Sequence, residues 1–77
     1  MNLLGNTEKL HTTELGEIRI KRNLSLGDVD AVEWCREIIT DKASHIERRG
    51  KNYYVRNGKT EITVNAHSYT IITAHIK

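Results

Sequence analysis

Four histidines stand in this chain, His11, His45, His67 and His75, and histidine is the side chain that exchanges protons most readily near neutral pH. Given cations to absorb the charge that develops on phosphorus, the chemistry within reach is metal-independent cleavage of a phosphodiester. His75 and His11 are the candidates to share the acid and base roles, with Tyr69 beside them and Glu61 as a second base if its strand lies next to His75. Neutralising the phosphate falls to Arg19, Arg48 and Lys51, and hydrogen bonding to Thr13, Tyr54, Thr63, Asn65 and Thr73. The plainer readings are a histidine satisfied at a sheet edge, Arg19 as helix-surface charge and Lys51 as the decoration of a turn.

The other chemistries find less support. No His-x-x-x-His or Cys-x-x-Cys spacing is present, and His67 and His75 are separated by up to ~26 Å in an extended strand, so no metal and no cofactor is expected. Gly50-Lys51 lacks the surrounding glycines of a phosphate loop. Cys35 falls on an apolar helical stripe beside Trp34, the setting of a small buried thiol rather than a nucleophile.

Charge narrows the ligand. The net charge of +2 hides an acidic stretch over 24–41 and a wholly basic one over 48–59, where Arg48, Arg49, Lys51, Arg56 and Lys59 attract anions. So small an excess argues against wrapping a long duplex, and favours a small nucleotide or a short RNA.

A chain of 77 residues forms one domain, 1–77, with one core. At this size folding buries only about 60% of the unfolded surface, which makes a homodimer an open expectation. One cysteine, no apolar run near ~20 residues and no basic, apolar start together lead us to expect a cytoplasmic protein with no membrane segment.

The elements that must position these residues follow from periodicity. The first ten residues are expected as a short helix or an arm, and capping residues with three- and four-residue apolar spacing predict helices over 13–23 and 29–39. From His45 the period changes to two. Asn57-Gly58 predicts a tight hairpin joining 51–56 to 59–65, with Arg56 facing Lys59 and Tyr54 facing Glu61. Tyr53, Val55, Ile62 and Val64 then face the core, and Asn52, Tyr54, Arg56, Glu61, Thr63 and Asn65 the open side. Strands near 45–48 and 69–76 complete an α+β domain, two or three N-terminal helices packed on a four-stranded antiparallel sheet. A three-residue turn at 66–68 places Tyr69, Ile71, Thr73 and His75 on the open face and Thr70, Ile72, Ala74 and Ile76 inside, whereas a two-residue turn reverses every assignment. We prefer the first register, which buries two isoleucines and an alanine and leaves the histidine and tyrosine out; it gathers the polar residues into a plate suited to a phosphodiester.

His11-Thr12-Thr13, Leu15-Gly16, Glu33-Trp34-Cys35, Gly50-Lys51-Asn52 and the tail from Ile62 to His75 resemble a family of short bacterial and phage proteins of unknown function. The resemblance spans nearly the whole chain and implies no activity. Two helices followed by a four-stranded antiparallel sheet also look like the barnase, EndoU, colicin E5 and RelE group of metal-independent nucleases, whose acid, base and cationic residues lie on the open sheet face. The expectation is therefore a histidine-dependent phosphodiesterase or nuclease acting on a small cyclic nucleotide or short RNA, a phage counter-defence protein if the source is a phage. The alternatives are a nucleotide-sequestering protein without catalysis and a protein-interaction inhibitor.

Overall fold

The computed structural model describes residues 3–77. A short 3-10 helix over Leu4–Lys9 leads into α1 (Glu14–Leu24) and α2 (Ala31–Thr40), and four strands follow: β1 (His45–Arg49), β2 (Asn52–Asn57), β3 (Thr60–Asn65) and β4 (Ile71–Ile76). The strands form one antiparallel sheet in the order β1-β2-β3-β4. The helices pack on one face of it, which is the expected α+β arrangement.

Each helix starts where a side chain can satisfy a free amide. The Thr13 hydroxyl accepts from the Gly16 N–H at 3.0 Å, and Glu14 and Glu17 complement the positive end of α1. Gly16, Ile20 and Leu24, four residues apart, form its buried stripe. In α2 the cap is Asp30, whose carboxylate accepts from the Glu33 N–H at 3.1 Å, so the helix begins two residues later than the apolar spacing alone predicts. Ala31, Cys35 and Ile39 are buried along it.

Two of the strand connections are two-residue Gly-Lys loops, Gly50-Lys51 and Gly58-Lys59, each with its glycine at positive φ. Glycine at the first central position is what such a hairpin favours. The turn is thus Gly58-Lys59 rather than Asn57-Gly58, because Asn57 is held as the last rung by its amide donating to Ser44 Oγ at 3.0 Å. Arg56 faces Glu61 and Tyr54 faces Thr63, not the partners expected. The relative slip is two residues, which preserves faces. Tyr53, Val55, Ile62 and Val64 lie in the core as the alternation predicted.

The last strand departs further. Asn65 N–H donates to Thr70 O across a four-residue loop, with Tyr69 in the left-handed region at φ 59°. Val64 then pairs with Ile71 but Thr63 with Thr73, so Ile72 is an extra residue in a β-bulge. The bulge exchanges faces partway along the strand. Before it Ile71 is buried, against the preferred register; after it Ala74 is buried and His75 lies on the open side, as that register had it. Tyr69 is not on the plate: its ring is buried and stacked on Tyr53 with centroids 6.5 Å apart.

The outer edge of β4 is covered. His11 N–H donates to Tyr69 O, Ile71 N–H to His11 O at 2.7 Å, the Thr12 hydroxyl to Ile71 O at 2.9 Å and the Asn23 amide to Ala74 O at 3.2 Å. These bonds sew the segment before α1, and α1 itself, along an edge that would otherwise expose unpaired peptide groups.

Candidate functional site

The residues singled out from the sequence separate into two places. On the open sheet face a cross-strand row runs His45, Arg56, Glu61, His75, and the next row runs Glu47, Tyr54, Thr63, Thr73. Residues paired across antiparallel strands share a face. The β1–β3 members of these rows line a shallow groove of about 400 Å³ together with Arg49 and Lys77, and Thr73 and His75 of β4 lie beside it on the same face. Tyr54, Thr63, Thr73 and His75 are there as predicted, and Glu61 does lie beside His75, at 3.6 Å.

The cations of this groove already have carboxylate partners. Glu61 receives Lys77 at 2.8 Å, Arg56 at 3.5 Å and His75, while Glu47 receives Arg49 at 3.1 Å. The Lys77 hydrogen bond holds the Glu61 carboxyl below the usual carboxylate range; partial desolvation works against it, and the charges of Lys77, Arg56 and His75 add to the lowering. A carboxylate so engaged is a poor base and a good anchor for the His75 ring. An incoming phosphate must compete for cations that already have carboxylate partners.

The second place is the end of the sheet where the β3–β4 loop, the β1–β2 turn and the segment before α1 meet. The Lys51 carbonyl accepts from the Ala66 N–H at 2.7 Å and fixes turn against loop. Asn65 Oδ1 accepts from the N–H groups of His67 and Ser68 at 2.8 and 3.0 Å, shaping the loop from within. The two stacked tyrosines carry a cation at either end: Lys9 Nζ lies 5.7 Å from the Tyr69 ring and the Arg48 guanidinium 5.5 Å from Tyr53.

His11 is joined to Tyr69 through the backbone, its N–H donating to Tyr69 O at 3.3 Å. Its Nδ1 is 2.9 Å from the Lys9 carbonyl, and since a carbonyl only accepts, Nδ1 carries the hydrogen. In the neutral ring Nε2 is then an acceptor, and it meets Thr70 Oγ1 at 3.0 Å, which is 2.7 Å from Ser68 Oγ. The result is a chain Ser68, Thr70, His11, Lys9 carbonyl in which hydroxyl protons run toward Nε2. When the ring is protonated, Nε2 donates to Thr70 instead, so the same contacts serve an acid and a base.

Among the described residues Lys9, Arg48 and Lys51 have no carboxylate partner. The contrast with the groove is electrostatic: here the cations remain available to an anion. His11, Tyr69, Arg48 and Lys51 thus belong to one end of the molecule, though Tyr69 contributes a buried ring rather than a surface donor. His75 does not join His11. They are separated by the length of β4 from Thr70 to His75, about 16 Å at strand rise, too far to serve one phosphorus atom.

The remaining candidates are placed by the fold. Arg48 is on the helix-side row with Tyr53, opposite the groove, because alternation puts Glu47 and Arg49 on the open side. Thr13 is spent on capping α1, close in sequence to His11, and Asn65 on its loop. Arg19 is an exposed charge on α1 in the helix layer, away from the open face. Cys35 is buried, and burial pushes its thiol up to about 12, which leaves it inert. No three His, Cys, Asp or Glu side chains converge among the described residues, and no helix there is long and apolar enough to cross a membrane.

Sequence reasoning missed Lys9, Ser68 and Thr70. Thr70 and His11 are 59 residues apart, and only the short parallel bridge between them brings the hydroxyl to the ring. The signal that was present is compositional: hydroxyl and histidine residues cluster in His67-Ser68-Tyr69-Thr70 beside a strand.

The chain matches the family model DUF3781, protein of unknown function, over residues 4–75, and it belongs to that family. No curated protein and no solved structure matches it, so the likeness to the nuclease group assigns no residue.

Proposed function

We propose that this member of the DUF3781 family binds a phosphodiester, in a short RNA or a small cyclic nucleotide, at the end of the sheet around His11, and cleaves it without a metal. The observation that carries the reading is the hydrogen-bonded chain from Ser68 through Thr70 to His11 Nε2, set beside cations without carboxylate partners. A ligand hydroxyl taking the place of the Thr70 hydroxyl donates its proton to Nε2, while the Lys9 carbonyl steadies the imidazolium that results. With RNA the freed 2′-oxygen attacks phosphorus and the bond to the 5′-oxygen breaks. His67, exposed on the same loop, returns a proton to the leaving oxygen, so the proton count closes with a 2′,3′-cyclic phosphate and a 5′-hydroxyl. Lys9, Arg48 and Lys51 supply positive charge to the phosphorane. A homodimer is part of the same proposal, since a chain this small gains stability from a second copy.

The test is incubation of purified protein in EDTA with a panel of cyclic di- and trinucleotides and a short RNA, followed by heat denaturation and mass spectrometry of the supernatant. A cleaved product that His11→Ala abolishes and His75→Ala retains is the expected result. Ligand depleted before heating and recovered intact afterwards makes the protein a sequestering one. Turnover that survives His11→Ala overturns the catalytic assignment.

A further inference from the structure

The two edges of the sheet are treated differently by the fold. The β4 edge is sewn to His11, Thr12 and Asn23, whereas β1 has β2 as its one strand neighbour. In a two-residue hairpin the residues flanking the loop exchange backbone hydrogen bonds, here Arg49 and Asn52. Alternation from there turns the peptide groups of His45, Glu47 and Arg49 toward β2 and those of Ile46 and Arg48 outward. At the far edge the outward peptide groups of Ile71 and Ala74, on either side of the bulge, are the ones capped.

We propose that this edge pairs with β1 of a second copy of the chain, antiparallel about a two-fold axis at Ile46. The register follows from the side chains. An axis at Glu47 sets two carboxylates against each other, and one at Arg48 sets two guanidinium groups against each other; directly opposed like charges are destabilising. An axis at Ile46 sets Ile46 against the partner's Ile46, Glu47 against the partner's His45 and Arg48 against the partner's Ser44. Ile46 is half-buried at the rim of the core, packed beside the buried residues, so the pairing extends that core across the axis. Like charges block the axes at Glu47 and Arg48, and of the two outward-facing positions, Ile46 and Arg48, Ile46 alone brings apolar side chains together. The edge is only five residues long, so the interface is small and the dimer weak and concentration-dependent.

The pairing also bears on the open face. His45, Glu47 and Arg49 form one wall of the groove, and in the dimer that wall continues into the partner's equivalent strand, joining two grooves across the axis. None of this depends on the ligand assigned to the His11 end.

Light scattering across a concentration series and cysteine cross-linking test it together. Residues in a hydrogen-bonded antiparallel pair have Cα atoms about 5.5 Å apart, within disulfide reach. Under mild oxidation Ile46→Cys is expected to give the strongest cross-linked dimer, ahead of Glu47→Cys and Arg48→Cys, with buried Cys35 silent. Wild-type mass is expected to rise toward twice the monomer with concentration. Ile46→Lys is expected to remain monomeric, and the exposed substitution Glu47→Lys, which removes only a surface ion pair with Arg49 from the protomer, to weaken association by removing the carboxylate set against the partner's His45. A monomeric mass throughout the series, dominant cross-linking at position 47 or 48, or unchanged association in Glu47→Lys overturns the proposal.

Discussion

Substituting Gly16 by alanine tests how the helix layer holds His11 in place. Gly16 lies in the first turn of α1, where alanine's higher helix propensity alone offers up to ~1 kcal/mol of stabilisation. The structure predicts the opposite sign. A Cβ at this position runs into Thr12 Oγ1 and lies 3.1 Å from Thr13 Oγ1. Neither atom is the end of a long flexible chain: the Thr13 hydroxyl caps α1, and the Thr12 hydroxyl donates to Ile71 O and fastens the segment bearing His11 to β4. Turning Thr12 aside gives up a hydrogen bond of ~1 kcal/mol, and crowding adds about 1–3 kcal/mol. After the propensity gain the net loss is about 1–3 kcal/mol, a Tm drop of roughly 5–20 °C for a domain this size. In a Thr12→Ala background the closer clash is gone and only the tight contact with Thr13 Oγ1 remains, so the same Gly16→Ala change is expected to cost at least ~1 kcal/mol less than in wild type. Thermal unfolding of the four variants in this cycle measures the coupling. Equal stability of Gly16→Ala and wild type, or additivity across the cycle, would refute the packing argument.

Other consequences follow from the same contacts. Truncating the buried Tyr69 ring by Tyr69→Ala is expected to cost about 3 kcal/mol in urea unfolding and to lose phosphate affinity together with stability, since the ring supports both Tyr53 and Lys9. Because the folded Glu61 carboxyl titrates below its unfolded range, its charge stabilises the fold above that range and ceases to do so as pH falls through the lowered value. Glu61→Gln should therefore be less stable than wild type at neutral pH, with the gap closing in acid; a gap that widens in acid contradicts the ion-pair geometry. Cys35 should remain unmodified by a thiol reagent in the folded protein and react at once in denaturant.

Much of this fold was legible because its signals are local. Caps at Thr13 and Asp30, apolar residues spaced by four, and alternation in Tyr53, Val55, Ile62 and Val64 each act within a few residues. The register of the hairpin was not: Asn57-Gly58 has strong turn chemistry, but a hydrogen bond to Ser44, thirteen residues away, keeps Asn57 in the strand. The bulge at Ile72 escaped for a related reason. Either simple register buries one part of the strand and exposes another wrongly, and an extra residue lets Ile71 and Ala74 both reach the core. The site divided as it did because sequence can place side chains on faces but cannot show which cations find carboxylates. Arg56 and Lys77 find Glu61, whereas Lys9 and Arg48 find tyrosine rings.

We place the phosphodiester at the His11 end and not in the open-face groove, and backbone amide shift mapping during titration with a non-cleavable dinucleotide tests this placement. Saturating shifts are expected in residues 9–12, 48–51 and 66–70, weakened as salt is raised. Shifts concentrated instead at His45, Tyr54, Arg56, Glu61, Thr63 and His75, with the His11 segment silent, would contradict it.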